Sequence, residues 1–265
     1  MTPMMEQYFE IKNQYKDFLL FYRLGDFYEM FFDDAIVASR VLELTLTGRD
    51  CGEAERAPMC GVPFHSAETY IATLIEKGYK VAICEQMENP ATAKGLVKRE
   101  VIRIITPGTV TEASMLPETR NNYLASVFID EGGAGVCFAD ISTAQIFATS
   151  FETTQYLPQL IGELGTYAPR EVLINLPHKL CPELVDFVKN RLNAVISDGD
   201  ASKYEYKSAA EAVRAQFSAT LRDGDLDKRR LICALGALLA YIADTQKTDI
   251  TYIKELNIYE NGQYM

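Results

Sequence analysis

No apolar run in this chain approaches the roughly 18 residues a membrane-spanning helix needs. The opening Met1-Thr2-Pro3-Met4-Met5-Glu6 lacks the basic and apolar regions of a signal peptide. Six cysteines stand at 51, 60, 84, 137, 181 and 233, and none forms a CxxC pair. Reduced, structural thiols of a cytoplasmic protein are therefore expected. No GxxxxGK[ST] phosphate loop occurs, and no GxGxxG follows a strand, so no nucleotide site is assigned. The two histidines, His65 and His178, have no ligand-spaced partners, and no metal site is assigned to them. Positive charge is in deficit throughout. Residues 1–115 carry 12 basic and 17 acidic groups and residues 116–265 carry 14 and 20, for a net charge of −11. That balance argues against a nucleic-acid binder held by overall attraction. A DNA site must then be a local patch, and one exists: Lys94, Lys98, Arg99 and Arg103 lie within ten residues, opposed only by Glu100.

What is present is an ordinary core-forming composition, 48% hydrophobic and 24% charged, over 265 residues. At roughly 100–200 residues per domain this means one or two domains. The patterning predicts a short amphipathic helix over 6–16, a buried strand over 18–24, and a helix over 28–42 after the turn at Gly25-Asp26, with Asp26 as N-cap. A strand at 44–47 follows, then a loop over 50–65. Ser66 is positioned to cap a helix ending at Gly78, and strands are expected at 80–84 and 101–105. Strands alternating with helices make this an α/β unit. Residues 107–122 lack apolar periodicity and read as a linker. Three strand-like runs come next, at 123–129, 136–141 and 145–149, with Asp130-Glu131-Gly132-Gly133 as a hairpin turn. The pattern then switches to helix 156–164, strand 171–174, helix 182–192, strand 194–196 and helix 209–217. Three antiparallel strands followed by αβαβα is the order of a ribonuclease-H-like layer. The last helix, 227–247, carries Leu231, Ile232, Leu235, Leu238, Leu239 and Ile242 on one broad face. It is expected to lack its partners, as in a fragment of a longer protein, or else to oligomerise.

The chain is organised around Gly25-Asp26-Phe27-Tyr28-Glu29-Met30-Phe31-Phe32. A large aromatic at a junction can pack inward or stand out as a probe. The stretch Leu20-Phe21-Tyr22-Arg23-Leu24-Gly25-Asp26-Phe27-Tyr28-Glu29 resembles the signature of the MutS family of DNA mismatch repair proteins. Supporting stretches recur in order: Thr2-Pro3-Met4-Met5, Pro58-Met59-Cys60-Gly61-Val62-Pro63-Phe64-His65, Val81-Ala82-Ile83-Cys84-Glu85-Gln86, Pro90-Ala91-Thr92, Arg103-Ile104-Ile105-Thr106-Pro107-Gly108-Thr109, and later Ala243-Asp244-Thr245-Gln246.

The resemblance implies an α/β fold with three parts. These are a mixed-sheet mismatch-binding domain (1–110), a linker (111–122) and a ribonuclease-H-like connector domain (123–225), then the first helix of an all-α core (226–265). It implies a non-enzymatic recognition piece of a bacterial, cytoplasmic, nucleoid-associated protein. ATP and Mg would bind in a further part of such a protein, which acts as a homodimer on duplex DNA with mismatches or small loops and docks MutL through its connector. Phe27 would stack on the mispaired base, and Glu29 would hydrogen-bond to it. A wedge at a base step costs a few kcal/mol of unstacking. A mismatch has already lost part of that, so deformability is what is read. An ionised Glu29 accepts from thymine N3–H or guanine N1–H; to meet a purine N7 it must carry a proton. The alternative is that Glu29 caps or pairs locally.

Arg99 is the candidate phosphate clamp, with Lys98, Lys94 and Arg103 nearby, and with Arg49 and Gln86 as weaker candidates in or beside loops. Strand alternation places Arg99 and Arg103 on one face and Lys98 on the other. The plainer reading of the patch is a solvated basic face. Two other functions remain open: a protein-interaction module with negligible DNA binding when isolated, and a ribonuclease-H-like nuclease using Asp130, Asp140 and Asp198, which would need those carboxylates to converge.

Overall fold

The computed structural model describes residues 1–52, 54–89, 93, 95–112, 115, 121–198 and 200–260, with only the backbone described at Asp198. They form two units, Met1–Thr106 and Pro107–Met265. In the first, β1 (Leu19–Leu24) turns at Gly25-Asp26 straight into β2 (Phe27–Phe31), and Leu24 faces Phe27 across an antiparallel pair. The residues expected to begin a helix at 28 are therefore a strand. The run Phe27-Tyr28-Glu29-Met30-Phe31 is aromatic-rich and alternates exposed, buried, half-buried, buried, as a pleated strand requires. Asp26 serves the turn and caps nothing. The helix α2 (Phe32–Val41) starts four residues later than expected, with Asp33 and Asp34 in its first turn. Asp34 accepts from Leu20 N at 3.0 Å and pairs with Lys12 at 2.9 Å, which ties α2 to β1 and to α1 (Pro3–Lys12).

The rest of the first sheet differs from the expectation in two places. The strand foreseen at 44–47 is β3 (Thr47–Arg49), and the loop foreseen over 50–65 contains β4 (Ala57–Pro63). Tertiary pairing decides both: β4 is held between β2 and β3. Ser66 does not cap α3 (Ala67–Glu76); its hydroxyl donates to Pro63 O instead. With β5 (Val81–Gln86) and β6 (Arg99–Ile105) the sheet order is β3-β4-β2-β1-β5-β6, and only the β1–β5 pair is parallel. Alternation sorts the core. Met5 and Tyr8 of α1 pack on Leu20, Tyr22, Phe31, Ala82 and Cys84. Residues of opposite parity, such as Phe21 and Met30, are buried on the other face, where α2 and α3 lie against β2, β4 and β5.

In the second unit β7 (Tyr123–Asp130), β8 (Gly133–Asp140) and β9 (Gln145–Phe151) form the expected antiparallel meander. The strands β10 (Glu171–Ile174) and β11 (Val195–Asp198) add in parallel beside β7. The order β9-β8-β7-β10-β11 is the ribonuclease-H-like layer foreseen from chain order. The short β12 (Glu255–Ile258), which was not foreseen, pairs in parallel with β9 and covers that edge. The helix α4 (Leu157–Tyr167) and the short α5 (Pro182–Asp186), which continues as a π turn through Arg191, pack on Ala125, Val127, Val136 and Phe138.

The opposite face is covered by α6 (Tyr206–Phe217) and α7 (Arg229–Gln246). This corrects the expectation of a last helix without partners. All six of its named apolar residues are buried in one core with Leu124, Cys137 and Ala139. The approach of α7 to β8 is close enough that a Cβ at Gly135 would fall 2.3 Å from Arg230 O. Residues 107–110, read as part of a linker, are buried in the same unit. Gly108 N donates to Glu171 Oε2 at 3.0 Å.

Candidate nucleic-acid interface

Phe27 stands at the tip of the β1–β2 hairpin and is 47% exposed, although Tyr28 beside it is buried. Two features make the tip rigid. The turn has only two residues, and Gly25 takes the positive φ of 56° that a hairpin of this length demands at its first position; no Cβ at that site would meet another atom within 4 Å, so backbone conformation alone selects glycine. Both turn carbonyls are also held. Arg23 Nε donates to Gly25 O at 2.5 Å, and Phe64 N donates to Asp26 O at 2.9 Å.

The Arg23 guanidinium then lies 3.6 Å over the Phe64 ring and 5.6 Å over the Tyr28 ring. It also donates to Glu85 at 3.3 Å, and Glu85 accepts from the Tyr28 hydroxyl as well. Burial, then the Glu85 bond and charge, push the Tyr28 hydroxyl well above the usual tyrosine range. Sequence reasoning had assigned Arg23, Phe64 and Glu85 no role. Their only signal is position within three of the motif stretches, since the contacts join residues up to 62 apart.

Glu29 lies two residues on, on the same face of β2, opposite Tyr22 on one side and Gly61 on the other. Its Oε2 accepts from Arg49 Nη1 at 2.5 Å, with side-chain exposures of 16% for Glu29 and 37% for Arg49. The local pairing weighed as an alternative for Glu29 is thus present in the free protein. Arg49, foreseen as a backbone contact, is its partner.

The described members of the basic patch, Lys98, Arg99 and Arg103, do not come together. Arg99 is 7% exposed. Its Nε donates to Arg23 O at 2.8 Å, and its Nη1 donates to Gln7 Oε1 at 3.0 Å and Val97 O at 2.9 Å, with the guanidinium 5.0 Å over the Tyr22 ring. Nε and Nη1 are taken by the fold and the side chain is buried, so the clamp assigned to Arg99 is corrected to an internal brace. Tyr22, whose hydroxyl donates to the same Gln7 oxygen at 2.6 Å, is pushed up to about 12 by burial, against the opposing Arg99 charge.

Strand alternation fails between Arg99 and Arg103. Ile83 pairs with Arg103 but Cys84 with Val101, so Ile102 is the extra residue of a bulge. Arg103 therefore lies on the face opposite Arg99, correcting the shared face expected. Lys98 points outward at 69% exposure and is paired with Glu100 at 2.5 Å, which raises its ammonium above the ordinary lysine range. Gln86 sits beside Arg99 at the end of β5. Lys94 lies outside the described residues.

The three carboxylates of the nuclease alternative do not converge either. Asp140 pairs with Tyr123 while Asp130 ends the same strand, seven residues or roughly 23 Å away at about 3.3 Å per residue. Asp140 accepts from Ser142 N at 3.0 Å and from its hydroxyl at 2.6 Å. Asp130 is 2.7 Å from Arg230 Nε. Burial works to raise its carboxyl, but bonds from Arg230 and the Gly132 and Gly133 amides outweigh that and hold it below the usual range. Of Asp198 only the strand position is described. Among the described residues no three His, Cys, Asp or Glu side chains are grouped to hold a metal ion, and no helix is long and apolar enough to cross a membrane.

Comparison with known proteins agrees with this division into two sheets. Residues 2–114 match the family description MutS domain I, and residues 122–254 match MutS domain II. The DNA mismatch repair protein MutS of Ruminiclostridium cellulolyticum is 48% identical over 265 residues, covering all of this chain and 30% of that protein. The protein of the same name from Caldanaerobacter subterraneus subsp. tengcongensis is 45% identical over 266 residues, and that of Clostridium tetani 43% over 265, covering 30% and 29% of their lengths. The chain thus spans about 30% of the length of the curated relatives it matches.

Proposed function

The chain belongs to the MutS family, and from that premise we propose that its first unit recognises mispaired or unpaired bases in duplex DNA by inserting Phe27 at the defect and kinking the helix there. The observation that carries this reading is the 47% exposure of Phe27 on a doubly pinned hairpin tip, beside a buried Tyr28. Burying such a ring fully is worth about 1.5–3 kcal/mol, which a fold would ordinarily take. Stacking on a base returns about 1–3 kcal/mol with little regard to which base it is. Glu29, two residues on and on the same face, supplies the acceptor for a base N–H.

For the whole protein we infer cytoplasmic action as a homodimer, ATP and Mg bound in a part beyond these two units, and a second unit that relays to that part and docks MutL. The test is fluorescence anisotropy at low salt, with a labelled duplex carrying one unpaired thymine beside its matched control. The native chain is expected to prefer the defect and Phe27→Ala to lose that preference. Glu29→Gln is expected to weaken binding most where a base N–H needs a charged acceptor. Equal affinity of the native chain for both duplexes would remove recognition from this unit and leave a protein-interaction module.

A further inference from the structure

We propose that Arg49 determines which mispaired bases Glu29 accepts, by holding one carboxylate oxygen so that the other is the acceptor left for a base N–H. The inference rests on the reading of Glu29 as the base-contacting residue and reassigns Arg49, which sequence reasoning had offered to a phosphate.

The geometry is specific to the two oxygens. Arg49 Nη1 meets Oε2 at 2.5 Å, and Oε1 has no hydrogen-bond partner within the chain among the described residues. A carboxylate has room for donors on both oxygens, so a thymine N3–H or guanine N1–H can be received on Oε1 with the ion pair intact. A base that offers only lone pairs to this side chain can be met only by a protonated carboxyl, which discharges the pair with Arg49. The guanidinium thereby favours defects that present an N–H donor. It serves a second purpose at the same place: an uncompensated carboxylate beside Phe27 repels the phosphates that flank any inserted wedge, and a paired one presents no net charge.

The arrangement also explains why the pair is built from arginine on β3. Arg49 reaches Glu29 from two strands away across β4, and the planar fork holds a direction that an ammonium does not. Arg49 is 37% exposed at the sheet edge and Glu29 keeps some solvent access, so the sheet is expected to keep its fold without the guanidinium.

The test uses the full chain and three duplexes: matched, with one unpaired thymine, and with one unpaired N3-methylthymine, which keeps the ring but has no N–H. The native protein is expected to prefer thymine over its methylated form by about fivefold, the scale of one partly exposed charge-assisted bond. Arg49→Ala is expected to remove most of that ratio, and in a Glu29→Gln background to change it no further. Arg49→Lys is expected to bind matched duplex as the native chain does while still losing the ratio. An Arg49→Ala protein that weakens on all three duplexes alike, in both backgrounds, overturns the proposal in favour of a phosphate contact. A ratio fully restored by lysine overturns it in favour of charge compensation alone. A native chain that binds unpaired thymine no better than matched duplex defeats the recognition reading itself, and this inference with it.

Discussion

A single side chain can change its role without changing its motif, and Arg99 is the clearest case. In sequence it is the most prominent cation of the basic patch. In the fold its guanidinium is divided between Arg23 O, Val97 O and Gln7 Oε1. Removing it takes one bond from each of these acceptors, at about 0.5–1.5 kcal/mol net per bond, although Gln7 Oε1 keeps the Tyr22 hydroxyl and Val97 O keeps Gln7 Nε2. Arg99→Ala is therefore expected to lower the stability of the first unit by about 2–3 kcal/mol, measured by urea unfolding of the native chain and variant side by side. An undiminished unfolding midpoint, together with a flatter salt dependence of DNA binding, would return Arg99 to the phosphate role. Phe27 shows the opposite relation. Among the described residues no aromatic or cation contact holds its ring, and the hairpin leaves it 47% exposed.

Elements were legible where apolar periodicity and turn chemistry agreed. The three strands of the meander and the helices at Ala67–Glu76 and Leu157–Tyr167 follow their patterns. The β2 strand was misread because Tyr28, Phe31 and Phe32 also fit a helical face, and only pairing with β1 and β4 distinguishes the two. The bulge at Ile102 left no signal at all, yet it moves Arg103 to the other face.

The helix α6 makes an element-scale prediction. Its N-cap is Glu205, whose carboxylate accepts from Ser208 N at 2.9 Å and Lys207 N at 3.1 Å. The backbone bond from Ser208, then that from Lys207 and the Ser208 hydroxyl, hold this carboxyl below the ordinary glutamate range. The sign follows from linkage: a depressed acid stabilises the fold above its unfolded value of about 4.3, and that contribution disappears as pH falls through the lower folded value. Glu205→Ala is expected to be less stable than the native chain at neutral pH, with the difference closing below about pH 4. Thermal melts followed by circular dichroism at both pH values test this; a difference independent of pH would mean that the carboxylate does not act as the cap.

At the scale of the molecule, the second sheet depends on the last helix. The face formed by Leu231, Ile232, Leu235, Leu238, Leu239 and Ile242 is the lid of the core that includes Leu124, Cys137 and Val213. Ending the chain at residue 227 strips that lid and exposes well over the surface a domain of this size can leave open. Such a truncated protein is expected to keep the unfolding transition of residues 1–106 and to lose that of the second unit, as seen by hydrogen exchange resolved along the sequence. Native protection in β7 and β8 of the shortened chain would show that the helix is an accessory. A helix with one broad apolar face suggests missing partners; in the fold those partners are α6 just before it and strands about a hundred residues earlier, where no local pattern records them.

The sequence by itself determined the class of this protein: alternating strands and helices, the meander that begins the second layer, and a run of motif residues whose family resemblance named Phe27 and Glu29. These are local properties, set by turn chemistry, side-chain period and residue identity, and they survive without knowledge of any distant contact. The tertiary structure alone decided which charges are free to act. It buried Arg99, set Arg49 on Glu29, turned Arg103 to the far face through one extra residue, separated Asp130 from Asp140 by the length of a strand, and placed α7 over β8. Most of those outcomes depend on pairing or packing between segments about twenty or more residues apart, and a charge has no periodicity that announces its partner.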